Sequence, residues 1–236
     1  MRNIVLVGGR TGIGEALLER LMRDAETRIW HFSREALETS DARLIDQRWD
    51  AALDEFPDDL ELPEQVDGLA YCPGSIHLAP FQRLKTDQFL QDFQINLLGA
   101  VRILQACQKN LHKSEHASVI LFSSVAVQLG MAMHASIASA KGAVEGLVRA
   151  LAAEWAPKVR VNAIAPSLSD TPLASSLLKT ERQQQGAADR HPLKRVGSAS
   201  DHAALAEFLL SGKADWITGQ IIGVDGGLGA LMRSGA

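Results

Sequence analysis

The sequence is short of cysteine, of tyrosine, of long apolar runs and of net positive charge, and each scarcity removes a class of protein. Its two cysteines, Cys72 and Cys107, form neither a CxxC pair nor a metal-ligand pattern, which argues against a disulfide scaffold or thiolate metal site and fits a reducing compartment. There is a single tyrosine, Tyr71. Nowhere do about 18 apolar residues run uninterrupted, and the stretch Ile4 to Val7 is too short for a signal-peptide core, so a cytoplasmic protein without a membrane partner is expected. Lys and Arg number 24 against 28 Asp and Glu, a formal charge of −4. Such a surface gathers no phosphate backbone, and nucleic acid is not an expected partner. No Pro/Ser-rich linker, charge block or repeat divides the 236 residues, 46% of them hydrophobic, and one domain spanning 1–236 is expected.

What is present is an alternation of short β-branched runs with longer segments of helical period. Strands are expected at Asn3 to Val7, Arg28 to Phe32, Arg43 to Ile45, Gly68 to Cys72, Ser118 to Phe122, Arg160 to Ile164 and Gln220 to Val224. Helices are expected at Ile13 to Arg23, Thr86 to Asn110, Ser136 to Trp155 and Asp201 to Leu210. The pattern predicts an α/β fold, a Rossmann-type doubly wound parallel sheet of about seven strands with helices on both faces. Runs such as Ile4-Val5-Leu6-Val7 suit strands buried on both sides. The alanine- and glycine-rich helix Ser136 to Trp155 admits close neighbours, either within the chain or in a homodimer or homotetramer formed with the 86–110 helix.

After the first strand comes Gly8-Gly9-Arg10-Thr11-Gly12-Ile13-Gly14, with the helical pattern beginning inside it. Glycines between a buried strand and a helix let main chain approach a pyrophosphate, whose charge meets the free N–H groups of the helix start. The second strand runs into Arg34 where an acidic residue would contact the adenosine ribose of NAD. A guanidinium there suits a 2′-phosphate, Arg10 adds a second positive charge, and NADP(H) is expected in preference to NAD(H).

Taken together with Asp50, Asn96 in Ile95-Asn96-Leu97, Ser124 in Phe122-Ser123-Ser124, Lys141 in Ala138-Ser139-Ala140-Lys141, Asn162-Ala163-Ile164-Ala165-Pro166, Thr171 and Val224-Asp225-Gly226-Gly227, in that order, the chain resembles the short-chain dehydrogenase/reductase family over nearly its whole length. The resemblance implies that Gly8, Thr11, Gly12, Ile13, Gly14 and Gly74 border the cofactor and that Asp50 lies at the adenine. It implies that Asn96 holds a helix and a water, that Ser124 hydrogen-bonds the substrate oxygen, and that Lys141 holds the nicotinamide ribose. Leu168 and Thr171 would grip the carboxamide. Val7, the Tyr71-Cys72-Pro73-Gly74 segment and Ser167 depart from the family's usual Thr, Asn-Asn-Ala-Gly and Gly.

One departure removes chemistry. The family's tyrosine stands four residues before the lysine, and that position is Ile137, thirteen residues after Ser124. Carbonyl reduction needs a proton for the new oxygen, which an isoleucine cannot supply. His134, or Lys141 acting through a water, is a conceivable substitute. Two readings follow: an NADP(H)-dependent oxidoreductase of a small carbonyl or alcohol with an unconventional proton route, or a cofactor-binding sensor or interaction protein without turnover. The segment 168–190 is read as a substrate loop, polar at Thr180 to Gln185 and mobile. His112-Lys113-Ser114-Glu115-His116 imitates a zinc-protease string but reads as solvated surface, and no metal is expected.

Overall fold

The computed structural model describes residues 1–53, 55–57 and 59–232. Its strands are β1 (Arg2–Val7), β2 (Thr27–Ser33), β3 (Leu44–Arg48), β4 (Gly68–Tyr71), β5 (Ala117–Phe122), β6 (Val159–Pro166), β7 (Ser169–Asp170), β8 (Gly197–Ser198) and β9 (Ile221–Val224). Helices are α1 (Gly12–Leu21), α2 (Thr86–Phe93), α3 (Gly99–Leu111), α4 (Ala135–Trp155), α5 (Glu181–Arg190) and α6 (Ala199–Leu210). Seven strands form a parallel sheet in the order β3-β2-β1-β4-β5-β6-β9, and β7 pairs with β8 apart from it.

Side chains alternate across each strand, so an unbroken apolar run must feed two cores. Val5 and Val7 of β1 join Val119 and Leu121 of β5 under Ile103 and Leu104 of α3 and Val144 and Val148 of α4. Ile4 and Leu6 join Ile120 and Phe122 beneath Leu17 and Leu21 of α1 and Ala203, Ala206 and Leu209 of α6. Each fully buried aliphatic contributes roughly 1.5–3 kcal/mol, which makes the sheet a rigid frame for whatever sits at its end. The strand order reverses direction between β1 and β4, and the crevice that opens there, beyond the carboxyl ends of the strands, is where such sheets take ligands.

Three elements differ from the sequence-based expectation. The predicted helix Thr86 to Asn110 is two helices joined by a wider π turn at Gln94–Leu98. Asn96 Nδ2 donates to the Asp92 carbonyl at 2.8 Å, competing for the acceptor that an unbroken ladder would use. The segment read as a mobile loop instead contains α5, started by Thr180, whose hydroxyl accepts the Gln183 N–H while the Gln183 side chain accepts the Thr180 N–H. A strongly polar helix carries no apolar stripe, so periodicity could not reveal it. The short pair β7–β8 was also not expected. Among the described residues no helix is long and apolar enough to cross a membrane.

Candidate active site

The glycine turn is built for close approach. Gly8 and Gly12 hold φ of +82° and +61°, a region that side-chain-bearing residues avoid. A Cβ on Gly14 would lie 1.9 Å from the Gly8 carbonyl oxygen. Thr11 enters α1 with extended backbone and makes no side-chain cap, which leaves the first N–H groups of the helix without that partner, and free N–H groups at a helix start suit an anionic oxygen.

These residues wall a cavity of about 390 Å³ with Arg10, Thr11, Ile13, Arg34, Glu35, Asp50, Gly74 and Thr171. That size falls within the range of small-molecule sites. Arg10 reaches Glu35 at 2.7 Å and the Ala36 carbonyl at 3.2 Å, so its charge is already engaged within the protein. Arg34 is exposed at the rim. Asp50 accepts the Ala52 N–H at 3.0 Å. Thr171 stands opposite Gly12, 3.5 Å from where a Cβ on that glycine would be.

Four other expected site residues, Asn96, Ser124, Lys141 and His134, are not part of this cavity's wall, and two of them, Asn96 and Lys141, meet it at Gly74. Gly74 marks the junction: a Cβ there would lie 3.2 Å from Asn96 Oδ1 and 3.9 Å from Lys141 Nζ. Lys141 donates to the Phe122 carbonyl at 2.7 Å. Burial pulls its pKa down to about 8, with the charges of Asp92 and Cys72 opposing. Asn96 Oδ1 is buried and has no hydrogen-bond partner among the described residues, an acceptor left for something else. Ser124 accepts the Ala126 N–H at 3.2 Å at the end of β5. His134 precedes α4 and donates through Nδ1 to the Ala132 carbonyl at 2.7 Å. Ile137, in the first turn of α4, is buried yet contributes to neither apolar core. Leu168 is not part of the cavity wall; its carbonyl accepts the Gly197 N–H at 3.2 Å.

Tyr71 is no replacement phenol. Its hydroxyl donates to the Ile95 carbonyl at 2.6 Å, and burial pushes its pKa upward. Sequence reasoning overlooked the polar cluster behind the lysine, where buried Asp92 accepts from Ser75 at 2.6 Å, His77 at 2.9 Å and Ser136 at 2.6 Å. The only signal was an acid inside an amphipathic helix, which is ordinarily solvated.

Residues 32–229 match the family model described as enoyl-(acyl carrier protein) reductase. A tropinone reductase homolog of Arabidopsis thaliana is 35% identical over 96% of this chain and 92% of its own length. The 3-oxoacyl-[acyl-carrier-protein] reductase MabA of Mycobacterium tuberculosis is 30% identical over 97% and 93%. Among solved structures, a short chain dehydrogenase family protein of Francisella tularensis superposes with a TM-score of 0.87 at 21% identity, covering 98% of this chain and 100% of its own. The aldohexose dehydrogenase of Thermoplasma acidophilum gives 0.85 at 22%, covering 100% and 96%. With the glycine turn, the switch-point crevice and these relationships in agreement, the chain belongs to the short-chain dehydrogenase/reductase family of oxidoreductases.

Proposed function

We propose that the protein is an NADP(H)-dependent oxidoreductase of a small carbonyl or alcohol, with Ile137 where its relatives use a tyrosine. The observation that carries this reading is the bare-backbone cavity at the switch point, whose inner end meets Lys141 and the unpartnered oxygen of Asn96. When bound, the nicotinamide supplies or takes up the hydride. This chain's residues do the rest. Gly8, Gly12, Gly14 and the start of α1 would hold the diphosphate, Asp50 the adenine, and Thr171 the carboxamide. Lys141, charged at neutral pH with its pKa near 8, would hold the ribose. Ser124 would donate a hydrogen bond to the substrate oxygen as negative charge develops there. The proton itself would come from His134 or, through a water, from Lys141.

NADP(H) is preferred because Arg34 stands exposed at the adenosine end while Glu35, the next residue, is paired with Arg10. ElxO carrying a tyrosine-to-phenylalanine change has been solved with NADPH bound, at a TM-score of 0.84 and 23% identity. By contrast, 4-hydroxyisoleucine dehydrogenase was solved with NADH. Fluorescence titration tests the proposal: NADPH is expected to bind, and failure of both NADPH and NADH to bind would end the oxidoreductase reading. Arg34→Ala is expected to weaken NADPH binding by about 5–30-fold, consistent with a charge-assisted hydrogen bond of roughly 1–2 kcal/mol, and to leave NADH nearly unchanged. Equal losses would refute the cofactor preference.

A second reading, nucleotide binding without turnover, is favoured by one observation: an isoleucine buried where a proton donor belongs. A second copy of this chain is the proposed macromolecular partner. On α4, Gly146 has nothing within 4 Å of where its Cβ would be, leaving room for a neighbouring helix.

A further inference from the structure

Strand β2 buries a histidine completely, and its ring links the glycine turn to strand β3. His31 Nε2 lies 2.9 Å from the Gly9 backbone nitrogen, whose N–H it accepts. Nδ1 lies 2.5 Å from Asp46 Oδ1, on neighbouring β3. The other carboxylate oxygen of Asp46 accepts the Leu37 N–H at 2.7 Å. Glycine at position 9 is what admits the ring, since a Cβ there would lie 2.9 Å from both Cδ2 and Nε2. The contacts therefore run from the glycine turn, through two strands, to the segment that carries Arg34 and Glu35.

Donor and acceptor chemistry sets the charge of this ring. A backbone N–H can only donate, so Nε2 must present its lone pair, and Nδ1 must carry the proton that it donates to Asp46. An imidazolium would set a second N–H against that of Gly9 at hydrogen-bond distance, in a site with no exposed surface to relieve it. Burial holds His31 below the ordinary histidine range; Asp46 opposes that shift and Arg10 reinforces it. These are the charged groups facing the ring, and Arg10 is itself paired with Glu35. Gly9 sits between Gly8 and Arg10, both in the cavity wall, so it cannot turn away without displacing the phosphate-facing main chain.

We propose that His31, backed by Asp46, is a positioning residue that keeps the glycine turn in its nucleotide-binding shape only while the imidazole is neutral, so that affinity for a nicotinamide dinucleotide falls as pH drops. The inference rests on the nucleotide reading of the cavity. A cationic ring would also attract a diphosphate, but Asp46 in contact with it leaves a nearly neutral pair, and the reversed hydrogen bond decides the outcome.

The test is calorimetric titration of NADP⁺ and NAD⁺ into the natural protein and into His31→Gln from about pH 8 to about pH 5, with thermal melts at each pH. Glutamine offers a carbonyl oxygen to the Gly9 N–H and does not titrate. NAD⁺ lacks the 2′-phosphate whose own ionisation falls in this range. The natural protein is expected to lose more than about threefold in affinity, at the acid end of the range because burial holds His31 below the ordinary histidine range, and His31→Gln less than that. Asp46→Asn, which removes the carboxylate favouring the cation, is expected to move the midpoint to lower pH. Parallel curves for the natural protein and His31→Gln would overturn the proposal. So would acid melting of the natural protein that His31→Gln abolishes, because the ring would then hold the fold rather than the turn. Absence of binding at about pH 8 in every variant would instead remove the nucleotide reading itself.

Discussion

Ile137→Tyr is expected to raise reductase turnover by about 10²–10⁴-fold, the usual worth of a positioned proton donor. The measurement is loss of NADPH absorbance against a panel of ketones and quinones, for the natural protein, Ile137→Tyr and His134→Ala. The reasoning is local. Ile137 lies one turn before Lys141 on α4, and residues four apart share a helix face. A lysine whose pKa burial has lowered to about 8 stabilises a neighbouring phenolate and so favours proton release from a phenol placed there. Ile137 contributes to neither apolar core, so enlarging it disturbs the site more than the frame. If the natural protein turns over briskly and Ile137→Tyr abolishes that activity, the proposed reactive end is wrong. If His134→Ala alone abolishes it, the proton comes from His134.

The second large effect is expected at Gly14. Propensity by itself favours Gly14→Ala, since alanine in a helix gains up to about 1 kcal/mol over glycine. The methyl group, however, would lie 1.9 Å from the Gly8 carbonyl oxygen and 3.1 Å from Cys72 Cβ, and a backbone oxygen in a glycine turn cannot swing aside as a side chain does. Overpacking of this kind costs about 1–3 kcal/mol or more, so the clash outweighs the propensity gain. Nucleotide affinity is expected to fall by roughly 100-fold or more, because Gly8 must move and Gly8 lines the cavity. Gly186→Ala in α5 is the control. Nothing lies within 4 Å of its Cβ position, so the same change there is expected to stabilise by about 0.5–1 kcal/mol in a denaturant melt. Retained binding by Gly14→Ala would disconnect the turn from the nucleotide.

Much of this was legible beforehand because it depends on short-range pattern. All seven main-sheet strands overlap the runs read from β-branched periodicity, and the glycine turn was visible as a cluster of residues without side chains at a strand-to-helix junction. Less legible was anything set by a polar side chain competing with the backbone. Asn96 divides a helix that periodicity joins, and Thr180 with Gln183 starts one that periodicity does not register. Arg10 illustrates a different gap, since a cation in the turn reads as a free phosphate ligand until Glu35 is found 2.7 Å away.

The chain's local order sufficed for the parallel sheet, the family and the presence of isoleucine at 137, since periodicity, motif order and residue identity are properties of neighbours along the chain. Folding alone determined that His31 grips Gly9, that Asp92 gathers Ser75, His77 and Ser136, and that Lys141 loses its hydration beside Asn96. Those partners are 15 to 45 residues apart, and their charges and hydrogen bonds depend on how much water the packed sheet leaves them.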